Sequence, residues 1–174
     1  MLFFGRITEY KGLDILLKAF GILKHRYRWL KLRIVGAGNL RPYRQLLEEL
    51  SDVEIVNHWV HEDQVWTHFQ GVRLVVLPYT SASQSGVVAL AAGFALPVVA
   101  TKVGGIPEQI DAKKTGYLVD PGSVEQLVEA LDYLLSNDRV AYQLGQNLLA
   151  SHQQNRSWLR VSDMIYAICK DIAR

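Results

Sequence analysis

Two apolar runs, Leu74 to Leu77 and Pro97 to Ala100, each stop abruptly at a loop of small residues. The first loop, Pro78-Tyr79-Thr80-Ser81-Ala82-Ser83-Gln84, leads directly into a helical stretch that begins near Ser85-Gly86 and continues to Phe94. Buried strand, small-residue loop, helix and second buried strand are most simply joined as a right-handed crossover between parallel strands. That order constrains the fold more than any other feature of the chain. It also leaves backbone N–H groups at a helix N-terminus uncovered by side chains, a ready seat for phosphate.

The same alternation runs through the rest of the sequence. Strands are predicted at Leu2 to Arg6, Leu30 to Val35, Val53 to Asn57, Leu74 to Leu77 and Pro97 to Ala100, with a short last strand at Gly116 to Val119. Helices are predicted at Leu13 to Lys24, Tyr43 to Leu50, Glu62 to Phe69, Gly86 to Phe94 and Val124 to Ser136, with a short one at Pro107 to Asp111. Two more, Arg139 to Gln153 and Ser157 to Ala173, close the chain. Leu13, Leu16, Leu17, Phe20 and Leu23 share one face of the first helix. Ser123 followed by Gln126 reads as a capping box. Units of roughly 25 residues argue for an α/β fold, a parallel sheet flanked by helices on both faces in a Rossmann-like three-layer sandwich. The expected order of the five main strands is 3-2-1-4-5. In such a sheet ligands sit beyond the carboxyl ends of the strands, here the loops 5–12, 36–41, 57–61, 78–86 and 101–107.

Length and composition narrow the class. A chain of 174 residues suffices for one domain that buries on the order of 70% of its unfolded surface. Nineteen basic residues against seventeen acidic ones leave a net charge of +2, which gives no electrostatic footprint for nucleic acid. The longest apolar run, Gly86 to Ala100, is interrupted by glycine and proline and reads as helix, turn and strand, not as a membrane span. Cys169 stands alone, which excludes a disulfide framework and a thiolate metal cluster and fits a reducing, cytoplasmic setting. The opening Met1-Leu2-Phe3-Phe4-Gly5 lacks the basic stretch and cleavage site of a signal peptide. His25, His58, His61, His68 and His152 show no ligand spacing, so no metal site is expected.

Arg6 and Lys11 flank the loop after the first strand, where a planar fork of donors and a compact ammonium together suit a diphosphate. On residue type alone they are equally two solvated surface charges. Gly36-Ala37-Gly38 is either a tight turn or a ligand contact, and the third glycine of a dinucleotide fingerprint is missing after it. Gln84-Ser85-Gly86-Val87 places main-chain donors at a helix start, with the Ser85 hydroxyl as an additional donor, against the alternative of a plain helix cap. Gly104-Gly105 is likewise either a ligand contact or a tight turn with no ligand. Trp59 and Trp66 read as core or rim packing, while the loop from Asn57 to His61 is placed to hold a nucleobase through its main chain.

Taken in order, Gly5-Arg6 followed by Lys11-Gly12, the small-residue helix after Ser85-Gly86, Leu96-Pro97-Val98-Val99-Ala100-Thr101 and Gly104-Gly105-Ile106-Pro107-Glu108 resemble the donor-binding, C-terminal half of GT-B glycosyltransferases, specifically family 4. The resemblance covers nearly the whole chain. It implies that residues 1–174 are a single nucleotide-sugar donor-binding domain whose N-terminal, acceptor-binding partner domain is absent. It implies retaining transfer of a sugar from a nucleotide diphosphate donor to an unknown acceptor, with no cofactor and no metal. Arg6 and Lys11 would be the catalytic cations; Gly5, Gly36, Gln84, Ser85, Gly86 and Val87 would bind donor. Any peripheral membrane association would run through the missing half. The family's pair of glutamates is replaced, since the matching places fall at Ser81 or Ala82 and at Leu90. Leu90 accepts no hydrogen bond, so either Gln84 and main chain hold the ribose in place of the usual clamp or the donor is bound weakly. A sugar-nucleotide epimerase of the same architecture and a degenerate non-catalytic module are the alternatives.

Overall fold

The computed structural model describes residues 1–155. Six parallel strands form its sheet: β1 Leu2–Phe4, β2 Leu32–Val35, β3 Val53–Val56, β4 Val75–Leu77, β5 Val98–Thr101 and β6 Tyr117–Val119. Their spatial order is β3-β2-β1-β4-β5-β6, as expected for the first five, with β6 added beside β5. The register pairs Phe3 with Ile34 and Val76 with Val99.

The helices are α1 Leu13–Arg26, α2 Arg44–Glu48, α3 Val65–Phe69, α4 Gly86–Gly93, α5 Ile106–Gln109, α6 Val124–Ser136 and α7 Asp138–Asn155. Alternate strand residues serve opposite layers, as the pleat requires. Phe3, Leu32, Ile34, Leu74, Val76 and Val99 meet the apolar stripes of α1 and α6. Leu2, Val35, Val75, Leu77, Val98 and Ala100 meet Phe69, α4 and Leu148 of α7. α4 is almost wholly apolar and sits directly against the sheet, with Val87, Val88, Ala91 and Ala92 buried. β3 and β6 are the sheet edges, and Ile55 on β3 is 41% exposed.

Several elements are shorter than the sequence pattern predicts. The helix expected from Tyr43 to Leu50 is a 3-10 turn over Arg41–Tyr43 followed by α2. The segment from Glu62 to Phe69 likewise begins as a 3-10 turn over Glu62–Gln64, and the chain reverses at Gly71, whose φ is +69°. The capping box is half formed. Gln126 N–H donates to Ser123 Oγ at 3.2 Å, but the Gln126 carboxamide turns to Asp120, accepting from its amide and donating to its carboxylate at 2.9 Å each. The helix expected at Ser157 to Ala173 lies outside the described residues.

Candidate functional site

The loops that leave the carboxyl ends of β1 to β5 are tied to one another, mostly main chain to main chain. Ile7 N–H donates to Ala37 O at 2.9 Å, joining the first loop to the second. The Asn57 carboxamide exchanges two bonds with the Gly38 backbone, at 3.0 and 3.1 Å, joining the second to the third. Thr80 N–H reaches Tyr10 O at 2.8 Å, and Gly105 N–H reaches Ser83 O at 2.7 Å. Glycine is required at two of these crossings. Gly36 has φ +141° and Gly104 φ +50°, and a Cβ on either would collide with a carbonyl, of Gly5 and of Ala82 respectively.

Three pockets open on this rim, the largest, of about 650 Å³, among Ile7, Thr8, Glu9, Asn39 and Thr80; the other two lie close to Gly5 and Lys11. One of about 310 Å³ lies among Phe4, Gly5, Arg6, Gly36, His58 and Trp59. The other, of about 280 Å³, is bordered by Tyr10, Lys11, Tyr79, Ser81 and Gln84. The first loop and α4 meet between them. A methyl group at Gly5 would stand 3.9 Å from Val87 Cγ2 and 4.0 Å from Lys11 Nζ. The bare Gly5 backbone therefore lies alongside both a cation and the first turn of a helix. A further pocket, at the amino ends of β1 to β3, holds two ion pairs, Arg33 with Glu54 at 2.8 Å and Asp52 with Lys24 at 2.7 Å, beside Lys31 and the Met1 ammonium. Ligands of open parallel sheets gather at the carboxyl ends.

Lys11 is half-buried, and its ammonium lies 3.8 Å from the centre of the fully buried Tyr79 ring. No carboxylate pairs with it among the described residues. Burial pulls its pKa down to about 8. The ring face offsets part of that desolvation through the cation–π interaction. Burial pushes the Tyr79 phenol up to about 12, so it stays neutral. Arg6 is exposed at the mouth of the neighbouring pocket.

At α4, the amides of Gly86 and Val87 have no partner within the helix, as at any helix start. Gly86 is exposed, and a Cβ built on it meets nothing within 4 Å. Ser85 departs from its expected role. It is buried, its hydroxyl lies 3.4 Å from Tyr79 Oη, and its amide donates to Gln109 Oε1 at 2.8 Å. It supports the rim from behind instead of facing the opening.

The structure thus brings Gly5, Lys11 and Val87 together. It sets Arg6 and Gly36 in one pocket and Gln84 beside Lys11 in the other. Of the two tryptophans, Trp59 is 70% and Trp66 51% exposed, so neither is core; Trp59 borders the Arg6 pocket. Leu90 is half-buried against the α4 face of the core, and Ser81 and Ala82 line the Lys11 pocket. Sequence reasoning missed Tyr79 and Gln109. Tyr79 had one signal, a polar aromatic at the end of a wholly apolar strand. Gln109 had none. Among the described residues no group of three or more His, Cys, Asp or Glu is placed to hold a metal ion, and no helix is long and apolar enough to cross a membrane.

Residues 1–137 match the family model for glycosyl transferases group 1. The chain is 32% identical over 170 residues to a D-inositol 3-phosphate glycosyltransferase of Paenarthrobacter aurescens, covering 93% of this chain and 41% of that protein. It is 30% identical over 142 residues to an uncharacterized glycosyltransferase of Haemophilus influenzae, covering 80% of this chain and 40% of that protein. The fold is shared with the C-terminal domain of the group 1 family protein LpcC from Francisella tularensis, at a TM-score of 0.81 and 22% identity, over 90% of this chain and 85% of that one. Anabaena HepE, solved in complex with UDP, superposes with a TM-score of 0.81 at 19% identity, over 98% of this chain and 48% of HepE. The chain spans about two fifths of the length of these curated relatives.

Proposed function

Because the chain belongs to the glycosyl transferases group 1 family, we propose that it is the donor-binding half of a glycosyltransferase that moves a sugar from a nucleoside diphosphate to an acceptor. The observation that carries this reading is the meeting of Gly5, Lys11 and Val87, where a cation with no counter-charge among the described residues faces a backbone bare of side chains at a helix start. A diphosphate laid over Gly5 would receive the Lys11 ammonium on one side and the Gly86 and Val87 amides on another. The Arg6 fork stands at the adjoining pocket, where Trp59 and His58 border a space fitted to the nucleoside. HepE, with the same fold, binds UDP, which supports a nucleotide donor here.

Breaking the bond between sugar and diphosphate places growing negative charge on the leaving phosphate. Arg6, Lys11 and the α4 amides answer that charge, so the reading needs neither metal nor cofactor. At neutral pH Lys11, with its pKa near 8, is mostly charged and available. Retention of configuration belongs to the same proposal, and the acceptor would be held by a second domain. The ribose, lacking a carboxylate at Leu90, falls to main chain and to Gln84. An isolated chain of this kind binds nucleotide but turns nothing over.

Calorimetric titration with UDP and with GDP, on the chain and on Arg6→Ala, tests the proposal. Binding of one nucleotide, weakened at least tenfold in the variant, is the expected result. No binding of either by the folded chain would assign it instead to a non-catalytic module.

A further inference from the structure

Ser85 caps α4 without using its side chain. Its φ and ψ of −135° and 117° are extended, so its N–H belongs neither to the helix nor to the sheet, while its carbonyl accepts from Val88 N–H at 3.2 Å. They are nevertheless buried, and buried main-chain groups need partners. The N–H finds its partner, and the carbonyl a second one beside Val88, in one side chain on the next loop. Gln109, at the end of α5, accepts from Ser85 N–H through Oε1 at 2.8 Å and donates from Nε2 to Ser85 O at 3.3 Å. A carboxamide presents a donor and an acceptor side by side, as a neighbouring peptide group would. The Ser85 hydroxyl, meanwhile, is turned to Tyr79 Oη at 3.4 Å.

We propose that Gln109 is a positioning residue for phosphate binding: by holding both polar groups of the Ser85 backbone it fixes the direction of the Gly86 and Val87 amides. The proposal rests on the donor-site reading above. Gln109 does its work from behind the helix start, through Ser85, and not as a phosphate ligand. Its removal leaves the α4 entry free to turn about the Ser85 peptide, and amides that no longer converge bind an anion less well.

Two measurements on the described chain test this, with Gln109→Met as the variant of similar length that cannot accept or donate as an amide does. In the nucleotide-free protein, amide hydrogen exchange at Ser85 should accelerate at least tenfold while amides of β1, β4 and β5 keep their protection. Gln109→Glu, which retains the acceptor, should preserve the Ser85 protection. Unchanged Ser85 exchange in Gln109→Met overturns the proposal whatever the ligand. In NMR titrations with UDP and with uridine, Gln109→Met should lose about tenfold in UDP affinity with uridine unchanged, the effect of one weakened hydrogen bond. An equal loss for both ligands would make Gln109 a general support of the fold, and an unchanged UDP affinity would also sink the idea. If exchange responds but the wild-type chain binds neither ligand, the donor-site reading falls, and with it the link to phosphate.

Discussion

The Lys11 ammonium stands 3.8 Å above the centre of the Tyr79 ring, half out of water and with no carboxylate beside it among the described residues. That relationship ties the loop after β1 to the loop after β4, and it makes Lys11 a cation in need of an anion. Its consequences are measurable.

The first concerns protons. Burial holds the Lys11 pKa at about 8 in the free chain, and an adjacent phosphate favours the charged form and raises it. Binding a nucleoside diphosphate near pH 8 to 9 should therefore take up protons. Affinity should fall as pH rises above 8. Calorimetry in two buffers of different ionisation enthalpy reads the uptake directly; no uptake would separate Lys11 from the phosphate.

The second sets stability against function. Between pH 8 and 10.5 an unfolded chain carries the Lys11 proton more readily than the folded one, so this residue's contribution to stability improves as pH rises through that window. Below pH 8 the folded protein bears the full cost of the charge. Lys11→Met keeps an apolar stem on Tyr79 and removes the charge. It should stabilise the fold at pH 7 by about 1 kcal/mol, allowing for the solvent that reaches the ammonium, with the gain fading between pH 8 and 10.5. The same variant should bind no nucleotide. Thermal unfolding at pH 7 and pH 11 checks the sign.

Gly86 and Gly104 should respond oppositely to a side chain. Nothing lies within 4 Å of a Cβ at Gly86, so Gly86→Val should melt normally yet lose at least tenfold in nucleotide affinity. Gly104→Ala places a methyl group against the Ala82 carbonyl in a left-handed conformation, and should destabilise by about 2–3 kcal/mol. Circular dichroism melts with parallel titrations distinguish the two. Unchanged affinity in a folded Gly86→Val protein would move the phosphate site elsewhere.

Trp59, 70% exposed at the edge of the Arg6 pocket, should stack on the nucleobase. Trp59→Ala should weaken nucleotide binding by about 1–3 kcal/mol without lowering the melting temperature, and ligand should quench the indole fluorescence of the wild type. Quenching that survives the substitution would assign it to another tryptophan.

The strand order, the crossovers and the position of the rim were legible because apolar runs ending in small residues leave few ways to build a sheet. Phe3, Val76 and Val99 could be placed in the core from strand pattern alone. Helix lengths were less legible: α2 and α3 are single turns because 3-10 geometry at Arg41–Tyr43 and Glu62–Gln64 uses residues that the apolar pattern counts as α-helix. At the site, the glycines and the basic pair announced themselves by type and spacing. Tyr79 and Gln109 did not, since their importance lies in what they touch. Gln109 meets Ser85 across 24 residues of sequence, and no local pattern records that contact. The inward turn of the Ser85 hydroxyl was hidden for the same reason.

The lacing of the strand-end loops has a mechanical consequence. Each of the five is fastened to a neighbour, by Ile7 to Ala37, Gly38 to Asn57, Tyr10 to Thr80 and Ser83 to Gly105. A rim laced this way couples each loop to its neighbour near the strand ends. Under the donor-site reading, a second reactant meets these tied loops as one surface, not one loop at a time.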